Sequence, residues 1–154
     1  MRVAGRGRRA VAVTAATAGL AAAAAAAGVG LAAAAGLEPM RVQGDSMRPT
    51  LRAGQRVAVG PLRGSPPRGA VVVLRHPTDD RLELVKRVVG LPGERLRLDD
   101  GREVALGEGE YLVLGDHRAG STDGRAFGPV RAEQLVGVVR FAYWPPRRLR
   151  PRAG

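Results

Sequence analysis

Residues 70–93 read AVVVLRHPTDDRLELVKRVVGLPG. Two runs rich in β-branched and aliphatic residues, 70–75 and 82–89, flank a short polar connection, which predicts two strands. His76, placed before Pro77, reads as a strand-end turn residue, and Asp79 with Asp80 as turn residues. Side chains alternate faces along a strand, so Leu82, Leu84, Lys86 and Val88 share one face, and Glu83, Val85, Arg87 and Val89 the other. Lys86 is thus the polar member of an otherwise apolar row. Burial there disfavours the ammonium and lowers its pKa. Neutrality near pH 7–8 requires a shift of roughly 3 units, or about 4 kcal/mol. Such a cost points to chemistry, unless the long side chain reaches out and keeps its amine in water.

The rest of the composition sharpens the interest in this residue. Of 25 basic residues Lys86 alone is lysine, and the other 24 are arginine. A desolvated lysine can lose its proton, whereas a guanidinium stays charged. Lys86 is therefore a candidate general base. With no cysteine, disulfides, thiolate metal sites and a cysteine nucleophile are excluded. Two histidines, His76 and His117, are too few for a His-rich metal site, and the acidic pairs Asp79-Asp80 and Asp99-Asp100 have no further ligands nearby. No metal or cofactor is expected. The net charge of +11 is compatible with nucleic acid, but the arginines are scattered and the five aromatics are few for a stacking surface. An Arg-biased composition and attraction to anionic lipid account for the charge better, and no nucleic-acid partner is expected.

Working outward, residues 1–9 form a basic leader with Arg2, Arg6, Arg8 and Arg9, and residues 10–37 carry no charge. That length suffices for a bilayer, which needs about 20 apolar residues. Alanine dominates the segment, so a signal anchor, a cleaved signal peptide and a soluble helix all compete, and the small residues 32–36 could themselves be a cleavage site. The reading favoured is a retained anchor, with a cytoplasmic leader and an exported body. From residue 38 to 144 the chain becomes short β-type runs: 55–59, 70–75, 82–89, 95–98, 111–114 and 135–143, separated by Gly and Pro turns. The body is expected to be one mostly β domain. Residues 145–154, PPRRLRPRAG, read as a basic disordered tail.

A neutral amine needs a proton donor to act upon. Ser46, in QGDSMRPTL at 43–51, lies in a bend set by Gly44 and Pro49 and can present its hydroxyl. Serine with lysine as base is an established nucleophile pair. Taken alone, a serine in such a loop is more often a turn residue.

These stretches resemble the boxes of the type I signal peptidases. GDSMRPTL at 44–51 is similar to their nucleophile box, VKRVVGLPGE at 85–94 to their lysine box, and LGDHRAGSTDGRAFGPV at 114–130 to their C-terminal box. The order is right, and the resemblance covers most of residues 42–143. It implies a signal-peptidase/SOS-repressor-like β-fold behind one N-terminal transmembrane helix. It also implies a membrane-anchored serine endopeptidase that removes signal peptides, with Ser46 as nucleophile and Lys86 as base. Ser121 would hold the lysine amine, and the Ser46 backbone N–H would donate to the oxyanion. Met47 would line the substrate cleft. Asp116, Asp123 and Arg125 would brace the adjoining loop. Partners implied are exported preproteins with small residues before the cut, and membrane lipid; the catalytic body would sit on the extracytoplasmic side.

Gly44 stands where some members carry a serine that completes the oxyanion hole, which leaves the second donor open. His117 stands where asparagine is usual, and Gly124 where serine is usual. A Ser46–His117–Asp triad competes with the dyad, but a lone loop histidine is more simply a solvated turn residue. The short span between the lysine and C-terminal boxes implies a minimal enzyme without a second domain. The compact size, the VVVLRHP run at 71–77 and Ser121-Thr122-Asp123 also resemble the maturation peptidases of nickel-type superoxide dismutase. The self-cleaving SOS repressor shares the Ser/Lys logic but would need an N-terminal DNA-binding domain. A non-catalytic, membrane-tethered β module that binds peptide or lipid is the reading from another class. It requires Ser46 and Lys86 to lie apart.

Overall fold

A computed structural model describes residues 35–147 without a break, together with residues 22–23, 26–30 and 33 of the N-terminal segment. Ten strands run β1 (Glu38–Arg41), β2 (Arg56–Pro61), β3 (Val71–His76), β4 (Asp79–Gly90), β5 (Arg95–Arg97), β6 (Glu103–Ala105), β7 (Glu110–Leu114), β8 (Val130–Arg131), β9 (Leu135–Trp144) and β10 (Pro146–Arg147). A helical stretch at 26–30, a short helix α1 (Gly124–Phe127) and two 3-10 turns complete the described elements. The fold is mostly β, as expected.

The main sheet is antiparallel, in the order β1-β2-β9-β3-β4-β7-β8, with β10 added against β9. Strand β3 explains why the opening stretch carries an unbroken apolar run. Val71 and Val73 point into one core cluster with Met47, Leu51 and Val57, while Val72 and Leu74 point into a second with Val88, Tyr111 and Val113. A strand buried on both faces reads as a continuous hydrophobic run rather than an alternating one. Its partner β4 stands in register, Val72 opposite Lys86 and Leu74 opposite Leu84. A third, smaller cluster of Leu98, Leu106, Leu112 and Leu114 sits beneath the β5–β6 hairpin.

Strand β4 begins earlier than the sequence suggests. Asp79 pairs with His76, so the aspartates open the strand instead of forming the turn, and only Pro77 and Thr78 connect the two strands. Hairpin closure recruits these polar residues because both faces of the exposed strand end meet water. Leu82 departs from its expected burial too: it is 46% exposed, whereas Lys86 is 3% and Val88 fully buried. The apolar row is therefore graded along β4 and is dry only at its C-terminal half. Past Trp144, Pro146 and Arg147 still pair with Tyr143 and Ala142, so the chain stays in the sheet at the start of the segment read as a tail. The remainder of that tail, the leader at 1–9 and most of the expected anchor at 10–37 lie outside the described residues. Among the described residues no helix is long and apolar enough to cross a membrane.

Candidate active site

Ser46 is carried by the loop joining β1 to β2. The base of the loop is closed by Val42 N–H donating to the Gln55 carbonyl (2.8 Å) and Gly54 N–H to the Val42 carbonyl (2.9 Å). Its far end is turned by Arg48 N–H to the Asp45 carbonyl (3.0 Å) and Leu51 N–H to the Met47 carbonyl (2.9 Å). Met47 and Leu51 sink into the first core cluster and act as two anchors for the loop. Gly44 takes φ 72°, a conformation that a residue with a Cβ rarely adopts, which reverses the chain just before the serine.

Lys86 reaches this loop from the centre of the sheet. Its Nζ lies 2.9 Å from Ser46 Oγ. With the ammonium form the nitrogen donates; with the neutral amine the same geometry lets the hydroxyl donate to the nitrogen lone pair. Burial pushes the Lys86 pKa below the ordinary 10.5, and the negative charge of Asp123 partly opposes this. The desolvating neighbours are Leu84 and Val88 along the strand and Val72 opposite, rather than Leu82.

A groove of 540 Å³ opens beside the pair. Residues 40–44 and 80–85 line it, and Ser46, Met47 and Lys86 complete the lining. Met47, expected in the cleft, thus serves both core and groove, with only 2% of its surface exposed.

The segment after β7 packs against the serine. His117 N–H donates to the Ser46 carbonyl at 2.9 Å. The His117 ring is exposed and makes no hydrogen bond to Ser46 or to an aspartate, so the residue meets the site only through its backbone. Asp123 is fully buried: it caps α1 by accepting from Arg125 N–H (3.2 Å), accepts from Gly115 N–H (2.8 Å) and pairs with Arg125 Nε (2.9 Å). Burial alone would raise its carboxyl pKa. Arg125, the Gly115 N–H and the Ser121 hydroxyl outweigh that and hold it below the usual range. The Ser121 hydroxyl thus contributes to the lowered Asp123 pKa, while Ser121 Oγ is buried and completes no regular hydrogen bond. The expected hydrogen bond from Ser121 to the Lys86 amine is not formed. Space here is tight: a Cβ on Gly115 would collide with Ser121 Oγ and stand 2.7 Å from the Ser46 carbonyl oxygen.

Two features escaped the sequence reading. Arg87, next to the lysine, is buried and forks onto Asp116, with Nε–Oδ1 at 2.8 Å and the second pair at 2.7 Å. The same guanidinium donates to the Gly69 carbonyl (2.7 Å) and to Thr50 Oγ1 (3.2 Å), and Thr50 in turn donates to Asp116. One ion pair therefore ties together β4, the serine loop and the segment after β7. An arginine among 24 carries no compositional signal, and the alternation along the strand places it only on the face opposite Lys86. The division of labour among the bracing residues is the second feature: Asp123 holds Arg125, whereas Asp116 holds Arg87.

The chain has known relatives. Residues 13–104 and 100–144 match the family described as signal peptidase, peptidase S26. The chain is 31% identical to signal peptidase IB of Staphylococcus aureus, over 70% of this chain and 78% of that one. It is 30% identical to signal peptidase I T of Bacillus subtilis (strain 168), over 73% and 77% respectively. A crystal structure of a signal peptidase I from Enterococcus faecalis V583 aligns with a TM-score of 0.44 at 23% identity, covering 49% of this chain and 97% of that one.

Proposed function

Because this chain belongs to the signal peptidase family, peptidase S26, and is a serine endopeptidase that removes signal peptides, we propose that Ser46 and Lys86 are its catalytic dyad. The observation that carries this reading is the 2.9 Å approach of Lys86 Nζ to Ser46 Oγ. It is also what the non-catalytic alternative forbids.

In the working state Lys86 is neutral. The Ser46 proton moves to Lys86 Nζ as Oγ bonds to the scissile carbonyl carbon, and the carbonyl oxygen takes up the negative charge. The Ser46 backbone N–H donates to that oxyanion. The tetrahedral intermediate then expels the peptide amine, which receives the proton from the Lys86 ammonium. Water attacks the remaining ester, giving its proton to the same lysine, and Ser46 is released with its proton restored. Asp116, Asp123 and Arg125 hold the loop that backs the serine, and Ser121 steadies the lysine amine once substrate is bound. The substrate is an extended preprotein segment with small residues at the first and third positions before the cut, lying in the groove beside Met47. Residues 10–37 anchor the enzyme in the membrane behind a cytoplasmic leader, with the peptidase domain on the extracytoplasmic side in contact with lipid.

The test is to incubate the full chain, in membrane, with a secretory preprotein and separately with a nickel-enzyme precursor, and to sequence the new N-termini. Cleavage of the preprotein after an A-x-A-type segment is expected. Cleavage of the nickel-enzyme precursor alone would replace the general substrate set with a dedicated one. Cleavage of neither would sink the enzymatic role.

The lowered Lys86 pKa sets the pH dependence. kcat/KM is expected to rise with pH through one ionisation below the ordinary 10.5. Leu84→Gln, which lets water toward the amine, is expected to move that ionisation upward. Stability follows the same group with a definite sign. Below the folded-state pKa both states carry the proton. Between that pKa and 10.5 only the unfolded state does, so stability rises with pH across that window and levels off above it. Subtracting the profile of Lys86→Met isolates the contribution. A flat pH–rate profile from about 6 to 9 would show that the lysine is not a base tuned by burial.

A further inference from the structure

A second concavity, of 200 Å³, shares no lining residue with the substrate groove. Its apolar lining is Val89, Leu96, Leu98, Leu112 and Leu114, which belong to or pack against the small cluster beneath the β5–β6 hairpin. Its rim carries Arg68, Arg97, Arg118 and Arg125 against a single acid, Asp99. Two of these cations are already committed: Arg68 grips the Glu94 carboxylate at 2.6 Å, and Arg125 is held by Asp123 at 2.9 Å. The Arg97 and Arg118 guanidinium groups have no hydrogen-bond or ion-pair partner among the described residues, and both are exposed. The result is an open, leucine-floored hollow with two uncommitted forked donors among its lining residues.

We propose that this concavity binds an alkyl phosphate monoester, its oxyanion received by Arg97 and Arg118 and its short alkyl chain laid over the leucines. Planar guanidinium groups match phosphate oxygens in pairs, and an anion beside them also relieves the mutual repulsion of the rim. A volume this small excludes drug-sized ligands, whose sites begin at about 300 Å³, and suits a chain of a few carbons. The same chemistry is offered by a free alkyl phosphate and by a phosphatidate headgroup with the start of its acyl chain. Arg118 and Arg125 belong to the segment that also carries Ser121 and Asp123, so the site abuts the bracing of the catalytic loop without using the dyad.

The test is calorimetric titration of the full chain, in neutral detergent, with hexyl phosphate, inorganic phosphate and dihexanoyl phosphatidic acid. Hexyl phosphate is expected to bind at one saturable site. Removing charge-assisted hydrogen bonds with the double variant Arg97→Gln/Arg118→Gln is expected to weaken it about tenfold or more, with the melting temperature unchanged because both side chains are exposed. Inorganic phosphate, lacking the alkyl chain, is expected to bind about tenfold more weakly. Competition by dihexanoyl phosphatidic acid assigns the site to lipid, and its failure to compete assigns it to the free ester. Equal binding by wild type and double variant, or by hexyl and inorganic phosphate, would overturn the proposal. Hydrogen exchange provides a second reading: protection on adding hexyl phosphate should fall at 95–98 and 118, and protection elsewhere alone would also overturn it.

Discussion

Lys86→Arg is expected to abolish processing as completely as Lys86→Ala and Ser46→Ala, each losing a thousandfold or more, about 4 kcal/mol of transition-state stabilisation. The arginine variant is the informative one. It keeps the positive charge near Asp123 and much of the packing against Val72 and Val88, but a guanidinium cannot accept the Ser46 proton. A role limited to charge or packing would leave substantial activity in Lys86→Arg. A His117 base would leave activity in Lys86→Ala, since the His117 ring makes no contact that the lysine supports. The measurement is the initial rate of preprotein cleavage in detergent, with circular dichroism to show that each variant is folded. Losses of less than about tenfold would remove Lys86 from the mechanism.

The parts of this site that could be read from sequence are those where a residue contradicts its surroundings. A lysine in an apolar alternation, in a chain that otherwise uses arginine, is conspicuous in the residue pattern alone, and so is a serine in a loop bent by Gly44 and Pro49. The apolar run at 70–75 likewise reads as a strand, although that it is covered on both faces emerges only from the two core clusters it feeds. The missed elements are those whose cause is distant. Strands β1, β6, β8 and β10 have between two and four residues, too few to display a period, and exist because longer neighbours offer them partners. Asp79 and Asp80 look like turn residues until β3 is seen to pair with their strand. Ser121 has the right position in its box, yet its hydroxyl is left without a partner, because local spacing does not fix where a side-chain oxygen points. Arg87 is the clearest case. Its partner Asp116 lies 29 residues away, and nothing in the local alternation separates a buried guanidinium from the many solvated ones.

That buried pair carries the second large expectation. Both side chains are nearly sealed from water, at 4% and 3% exposure, so removing one partner strands the other charge in the core. Arg87→Met or Asp116→Leu alone is expected to cost about 3–5 kcal/mol of stability, whereas Arg87→Met/Asp116→Leu together should cost clearly less than either, since no unpaired charge remains. For a domain of this size the single variants should lower Tm on the order of 15 °C. Activity is expected to follow a different order. The double variant regains stability but still lacks the link from Arg87 to Thr50, and the hold of Asp116 on the segment whose His117 N–H grips the Ser46 carbonyl. Its kcat should therefore stay depressed, while KM changes little because the groove lining at 40–44 and 80–85 is untouched. Thermal melting and Michaelis profiles on the three variants decide the matter. If Asp116→Leu lies within about 1 kcal/mol of wild type, the pair is not a structural tie. If the double variant recovers kcat along with Tm, the pair supports the fold but does not position the serine loop.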